Sequence, residues 1–80
     1  MPITLAFLGK LADLAGAPER RVPGPLDWSG LLAELPDAVA EQARGERVKL
    51  ALNGSVLPDK TALLAQDGDE IALLPPVSGG

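Results

Sequence analysis

An α+β roll, one mixed sheet with a helix laid across one face, is the fold this sequence predicts. Three observations point to it. Apolar residues alternate at Ile3, Leu5 and Phe7 near the start and at Ile71 and Leu73 near the end, the period of two of a half-buried strand. Asn53-Gly54 stands between two β-type runs, the strongest short-range hairpin signal, because both positions of a type I′ turn need positive φ. Trp28, Leu31, Leu32 and Leu35 recur at helical spacing and form one apolar stripe. Strands and helix in this arrangement bury Ile3, Leu5, Phe7, Trp28, Leu31, Leu35, Leu50, Leu52, Ile71 and Leu73 in a single core.

Each element has its own local reason. Thr4 and Ala6 interleave with the first apolar set, giving a strand over residues 3–7. Residues 11–16 have room for one or two helical turns, closed by Gly16 and Pro18. A second strand fits residues 19–22. Asp27 is the N-cap of the helix that carries the apolar stripe, and Pro36 stops that helix. A further helical piece fits residues 37–43, ended by Gly45. Val48, Leu50 and Leu52 alternate into the Asn53-Gly54 turn, and residues 55–57 pair back. Pro58-Asp59 breaks that strand, Leu63-Leu64 suits a short turn of helix, and Asp67-Gly68-Asp69 is a second turn before the last strand at residues 70–74.

Composition excludes more chemistry than it suggests. Eighty residues make one small domain, whose core is expected to supply only about 3–5 kcal/mol. Cysteine and histidine are both absent, which removes disulfides, zinc sites, Cys or His nucleophiles and the commonest acid–base side chain. A net charge of −4 with no basic run, and only Phe7 and Trp28 as aromatics, argues against nucleic acid. Ala15-Gly16-Ala17 faintly resembles a signal-peptidase site, but no positive segment precedes it, and Lys10 and Asp13 interrupt the apolar run. The expected location is cytoplasmic, with no membrane partner. Asp67, Asp69 and Glu70 lack the spacing of a calcium loop. Ser29, Ser55 and Ser78 have no base, Lys10, Lys49 and Lys60 stand alone, and no phosphate loop is present. No bound cofactor or metal is expected, and any ATP belongs to a partner.

The chemistry that remains is in the ending Pro75-Pro76-Val77-Ser78-Gly79-Gly80. A double proline favours extended polyproline II at about 3.1 Å per residue, which launches the tail away from the body. The plain reading is a frayed chain end, and two terminal glycines arise by chance in roughly one chain in two hundred. The functional reading rests on what two glycines permit: without Cβ atoms they slide through a narrow channel that would reject side chains. The α-carboxylate of Gly80 would then reach a partner's active site. A carboxylate is a poor electrophile, so it needs activation as an acyl-adenylate. A sulfur nucleophile can then displace AMP and leave a thiocarboxylate.

The stretch Leu50-Ala-Leu-Asn-Gly54, the cluster Asp67-Gly-Asp-Glu-Ile71 and the ending Leu74-Pro-Pro-Val-Ser-Gly-Gly80 resemble the small, sulfur-carrying subunit of molybdopterin synthase. The resemblance spans the chain and is most specific in its C-terminal third. It departs at Leu73-Leu74, where that family often has an aromatic pair, and at Ala12-Asp13, where it often has Arg-Glu. It implies a ubiquitin-like β-grasp domain over residues 1–74 and a flexible tail over residues 75–80. Gly80 would be adenylated by a ubiquitin-activating-type enzyme and thiocarboxylated. The tail, Pro75, Pro76, Val77, Ser78 and Gly79, would thread the large synthase subunit, with Leu74 and Val77 at the interface. There the sulfur would help convert cyclic pyranopterin monophosphate to molybdopterin, in a heterotetramer whose catalysis the large subunit supplies. Two alternatives remain: a sulfur carrier for thiazole, cysteine or tRNA thiolation, and a protein modifier joined to lysines through Gly80.

Overall fold

The alternation at Ile3, Leu5 and Phe7 forms strand β1 (Ile3–Phe7), with those three side chains buried and Thr4 and Ala6 half-buried behind them. The chain's structure is a computed structural model that describes residues 1–76. A glycine-led turn opens helix α1 (Lys10–Ala15), which buries Leu11, and the Gly16 N–H closes it onto the Ala12 carbonyl. Strand β2 (Glu19–Val22) returns antiparallel to β1 with Val22 opposite Ile3. Asp27 caps helix α2 (Trp28–Glu34) as expected, its carboxylate accepting the Gly30 N–H at 2.7 Å. Pro36 separates α2 from α3 (Asp37–Arg44), which buries Val39, Ala40 and Ala43. Strand β4 (Lys49–Leu52) turns at Asn53 (φ 50°) and Gly54 (φ 87°), both in the left-handed region, into β5 (Ser55–Val56). This is the hairpin the dipeptide predicts. Strand β7 (Glu70–Leu74) is the last strand of the described residues.

The main sheet runs β2-β1-β7-β4-β5, with β1 and β7 parallel and the other pairs antiparallel. The last strand is therefore the central one. Ile71 and Leu73 lie between Leu5 and Phe7 on one side and Leu52 and Leu50 on the other. Helices α1, α2 and α3 send buried residues, Leu11, Leu31 and Val39 among them, into the cluster on this face. The opposite face carries Thr4, Ala6, Ala51, Ala72 and Leu74, with Val56 at its edge 57% exposed.

Three expectations need correction. Residues 63–64 do not form a helical turn. The Asp59 carboxylate accepts the Thr61 N–H at 3.0 Å and so starts a 3-10 turn earlier, at Lys60–Ala62. Leu64 instead enters strand β6 (Leu64–Ala65), which pairs with β3 (Leu26–Asp27) in a second, two-stranded sheet that the sequence reading did not contain. Trp28 and Leu52 are half-buried at the rim of the core, while Val22, Leu26, Val39, Val48, Leu63 and Ala65 fill positions inside it.

The two acidic and amide turn clusters are joined to each other. Asn53 Nδ2 donates to Asp69 Oδ1 at 3.0 Å, and Asn53 Oδ1 accepts the Glu70 N–H at 2.9 Å. Asp69 Oδ2 accepts the Gln66 N–H at 2.8 Å, and Asp67 Oδ1 accepts the Gly24 N–H at 2.7 Å. These carboxylates act as loop clasps. The Gln66 N–H first, and then the Asn53 amide, hold the Asp69 carboxyl below its ordinary value of 3.8. Because the folded-state value is depressed, this group stabilises the fold above its ordinary value, and the contribution is lost as pH falls through the folded one. Asp69→Asn is therefore expected to lower the thermal midpoint near neutral pH, and the gap from the natural chain should close in strong acid. A gap independent of pH would show that the charge on Asp69 contributes nothing.

Candidate functional site

Ladder hydrogen bonds carry the chain to Leu73, whose carbonyl accepts the Leu8 N–H at 3.4 Å, and then two prolines without N–H groups end the pairing. Strand β7 thus delivers Leu74, Pro75 and Pro76 to the edge of the central ladder. Leu74 is half-buried and lies opposite Lys49 on the helix-free face. Val77, Ser78, Gly79 and Gly80, which the sequence reading assigns to threading and chemistry, lie outside the described residues.

Gly9 shapes the root of the tail. Its φ of 57° is a conformation that side chains with a Cβ rarely adopt, and a Cβ there would stand 3.3 Å from Pro75 Cγ. Beside it opens a cleft of about 480 Å³ lined by Lys10, Glu41, Gln42, Arg47 and Pro76, together with Gly45 and Glu46. Lys60 pins that segment. Lys60 Nζ donates to the carbonyls of Gly45 and Val48, the latter at 2.8 Å, and stands 5.8 Å from the centre of the Trp28 ring. Partial burial, followed by the charge of Lys49, lowers the Lys60 pKa, and Glu46 works against that shift. A second cavity of about 380 Å³ lies over Lys60, between Leu57, Pro58 and Val48.

None of these side chains is arranged as nucleophile and base; they surround the Leu74-Pro75-Pro76 segment. Leu74, Pro75 and Pro76 are brought together with residues that sequence reasoning missed. Gly9 gave no signal because its role is a close approach across the fold. Lys10 and Lys49, weighed in the sequence only as isolated amines, meet Pro76 and Leu74 through the β1-β7-β4 adjacency. The alanine floor of Ala6, Ala72 and Ala51 could have been found from the period of two, since it occupies the alternate positions to the core. No helix of the described residues is long and apolar enough to cross a membrane.

The sequence profile of the ThiS family matches residues 5–80. Among solved structures, the chain is similar to the Haloferax volcanii protein HVO 2177, at 26% identity and a TM-score of 0.75 over 100% of this chain and 87% of that one. It is similar to small archaeal modifier protein 1 of Methanosarcina acetivorans, at 26% identity and a TM-score of 0.74 over 98% of this chain and 95% of that one. It is also similar to a chain in the complex of subunits 1 and 2 of molybdopterin-converting factor from Helicobacter pylori, at 26% identity and a TM-score of 0.67 over 100% of both. No curated protein sequence matches. The roll derived above is the ubiquitin-like β-grasp of these neighbours.

Proposed function

The chain belongs to the ThiS family, and from that premise, which makes it a ubiquitin-like sulfur carrier or modifier with no catalytic site of its own, we propose that it is the sulfur-carrying small subunit of a molybdopterin synthase. One observation carries the reading: the central strand of the sheet runs into Pro75-Pro76 beside the alanine-floored face opposite the helices, where Leu74 is half-buried, and Gly79-Gly80 follows in the sequence. A rigid central strand fixes where the tail leaves the body. The open face around Leu74 offers apolar area for a partner to cover, and a Gly-Gly end offers a carboxylate with no side chain to obstruct a channel.

In this proposal the Gly80 carboxylate attacks ATP held by an adenylating, ubiquitin-activating-type partner and displaces pyrophosphate. Sulfide then attacks the acyl-adenylate carbonyl, the C–O bond to AMP breaks, and a thiocarboxylate is left at Gly80. The chain docks on the large synthase subunit through Leu74 at the end of the body, residues 1–74, and Val77 in the tail. The tail, residues 75–80, carries the sulfur to cyclic pyranopterin monophosphate. Two copies of each subunit form the assembly, and the carrier itself binds no cofactor.

Similarity to an archaeal modifier protein favours a second reading, in which Gly80 is joined to lysines of other proteins. Intact-mass analysis of the untagged chain from its native host, with identification of co-purifying proteins, separates the two. The proposal expects a species heavier by the difference between sulfur and oxygen, together with a large synthase-type subunit. Gly80 found in isopeptide linkage, with no thiocarboxylate, would replace the carrier reading with the modifier.

A further inference from the structure

The chain's positive charge is unevenly placed. Of its seven cations, Arg20 and Arg21 face Glu34 and Glu19 at 3.4 and 3.8 Å on the β2 edge, the ion pairs among the described residues. Lys60 is committed to the carbonyls of Gly45 and Val48. Of the other four, Lys10 and Arg47 line the cleft beside Pro76, and Lys49 lies opposite Leu74 in the ladder. All three are exposed. Glu41 and Glu46 also line that cleft, so the side chains at the tail root carry three positive and two negative charges, a net of +1 that the α-carboxylate of Gly80 brings to zero for this end of the molecule. The rest of the chain then holds four cations and nine acids, a net of −5 within the total of −4.

We propose that Lys10, Arg47 and Lys49 form a cationic collar around the root of the tail, and that it docks against aspartate and glutamate side chains ringing the mouth of the channel that receives the tail. This inference rests on the carrier reading above and adds the chemistry of the receiving surface. A chain end that must enter a channel imposes a strict orientation on the encounter. An acidic rim attracts the collar and repels the remaining surface, so the carrier arrives tail first. Such steering changes association rates by about 10- to 1,000-fold and fades as salt shortens the reach of charges to about 10 Å or less. Lys60 supports the arrangement by fixing the turn that presents Arg47 and Lys49.

The test measures association of the full-length carrier with the purified large subunit of its own organism, by stopped flow at low and at physiological salt. Replacing Lys10, Arg47 and Lys49 together by serine should slow association at low salt by about tenfold or more, flatten its salt dependence and leave dissociation within about twofold. That variant has a net charge of −7, so Arg20→Ser with Arg21→Ser, at −6, controls for total charge and should change association by less than about twofold. Circular dichroism confirms that both variants are folded. Equal rates for the natural chain and the triple variant, or equal slowing by the control, overturn the collar while leaving the carrier reading intact. Absence of binding by the natural chain at every salt concentration would overturn the large-subunit reading and the collar with it.

Discussion

Deleting Gly80 is expected to reduce sulfur transfer by at least about a hundredfold and to leave the folding midpoint unchanged. The deletion retains a carboxylate, now on Gly79, but draws it back by one residue, about 3.3–3.6 Å of extended chain. Misplacing a reacting group by about 1 Å can already cost about a hundredfold, so a shortfall of this size separates the carboxylate from the activating centre. The fold has no stake in the change, because every buried apolar residue among the described ones lies between Ile3 and Leu73. Gly79→Val tests the other half of the argument. It keeps the length and adds a branched Cβ, so it should block transfer while the shortened chain's defect in reach is absent. A coupled assay with the activating enzyme and the large subunit reads both variants. Full activity without Gly80 would end the carrier proposal, whichever pathway it serves.

What could be read in the sequence was local. The period of two at Ile3, Leu5 and Phe7, the Asn53-Gly54 turn and the Asp27 cap each fix their element from within a few residues, and each stands as expected. Strands β3 and β6 are two residues long, too short to show any period, and exist because Leu26 and Ala65 meet across the fold. The Asp59 cap was legible as a breaker but not as the start of a turn, which displaced the expected helical residues. Helix α3 buries two alanines with Val39, and small residues mark an apolar face weakly. Around the tail the same division holds. Pro75-Pro76 and Gly79-Gly80 announce themselves by composition. Lys10, Arg47 and Lys49 do not, since only the packing of β1, β7 and β4 brings distant positions to one exit. Asn53 and Asp69, each a turn residue in sequence, turn out to hold each other.

Adjacent leucines at the end of β7 should fail in opposite ways. Leu73 is fully buried, opposite Phe7 on one strand and Leu50 on the other. Leu73→Ala leaves a cavity in the middle of the core and is expected to cost about 2–5 kcal/mol. The whole core of so small a domain supplies about 3–5 kcal/mol, so much of this variant should be unfolded near its working temperature. Urea titration would read the loss as a large fall in the midpoint. Leu74, one residue on, is half-buried on the face without helices. Leu74→Asp should keep most of the folding stability, because its carboxylate stays hydrated in the free chain, and should raise the dissociation constant for the large subunit by about thirtyfold, or about 2 kcal/mol. The two outcomes follow from a single period of two, which puts Leu73 in the core and Leu74 on the opposite face of the sheet. Unfolding by Leu74→Asp as severe as that by Leu73→Ala would show that the face is not open, and unchanged affinity would place the partner elsewhere.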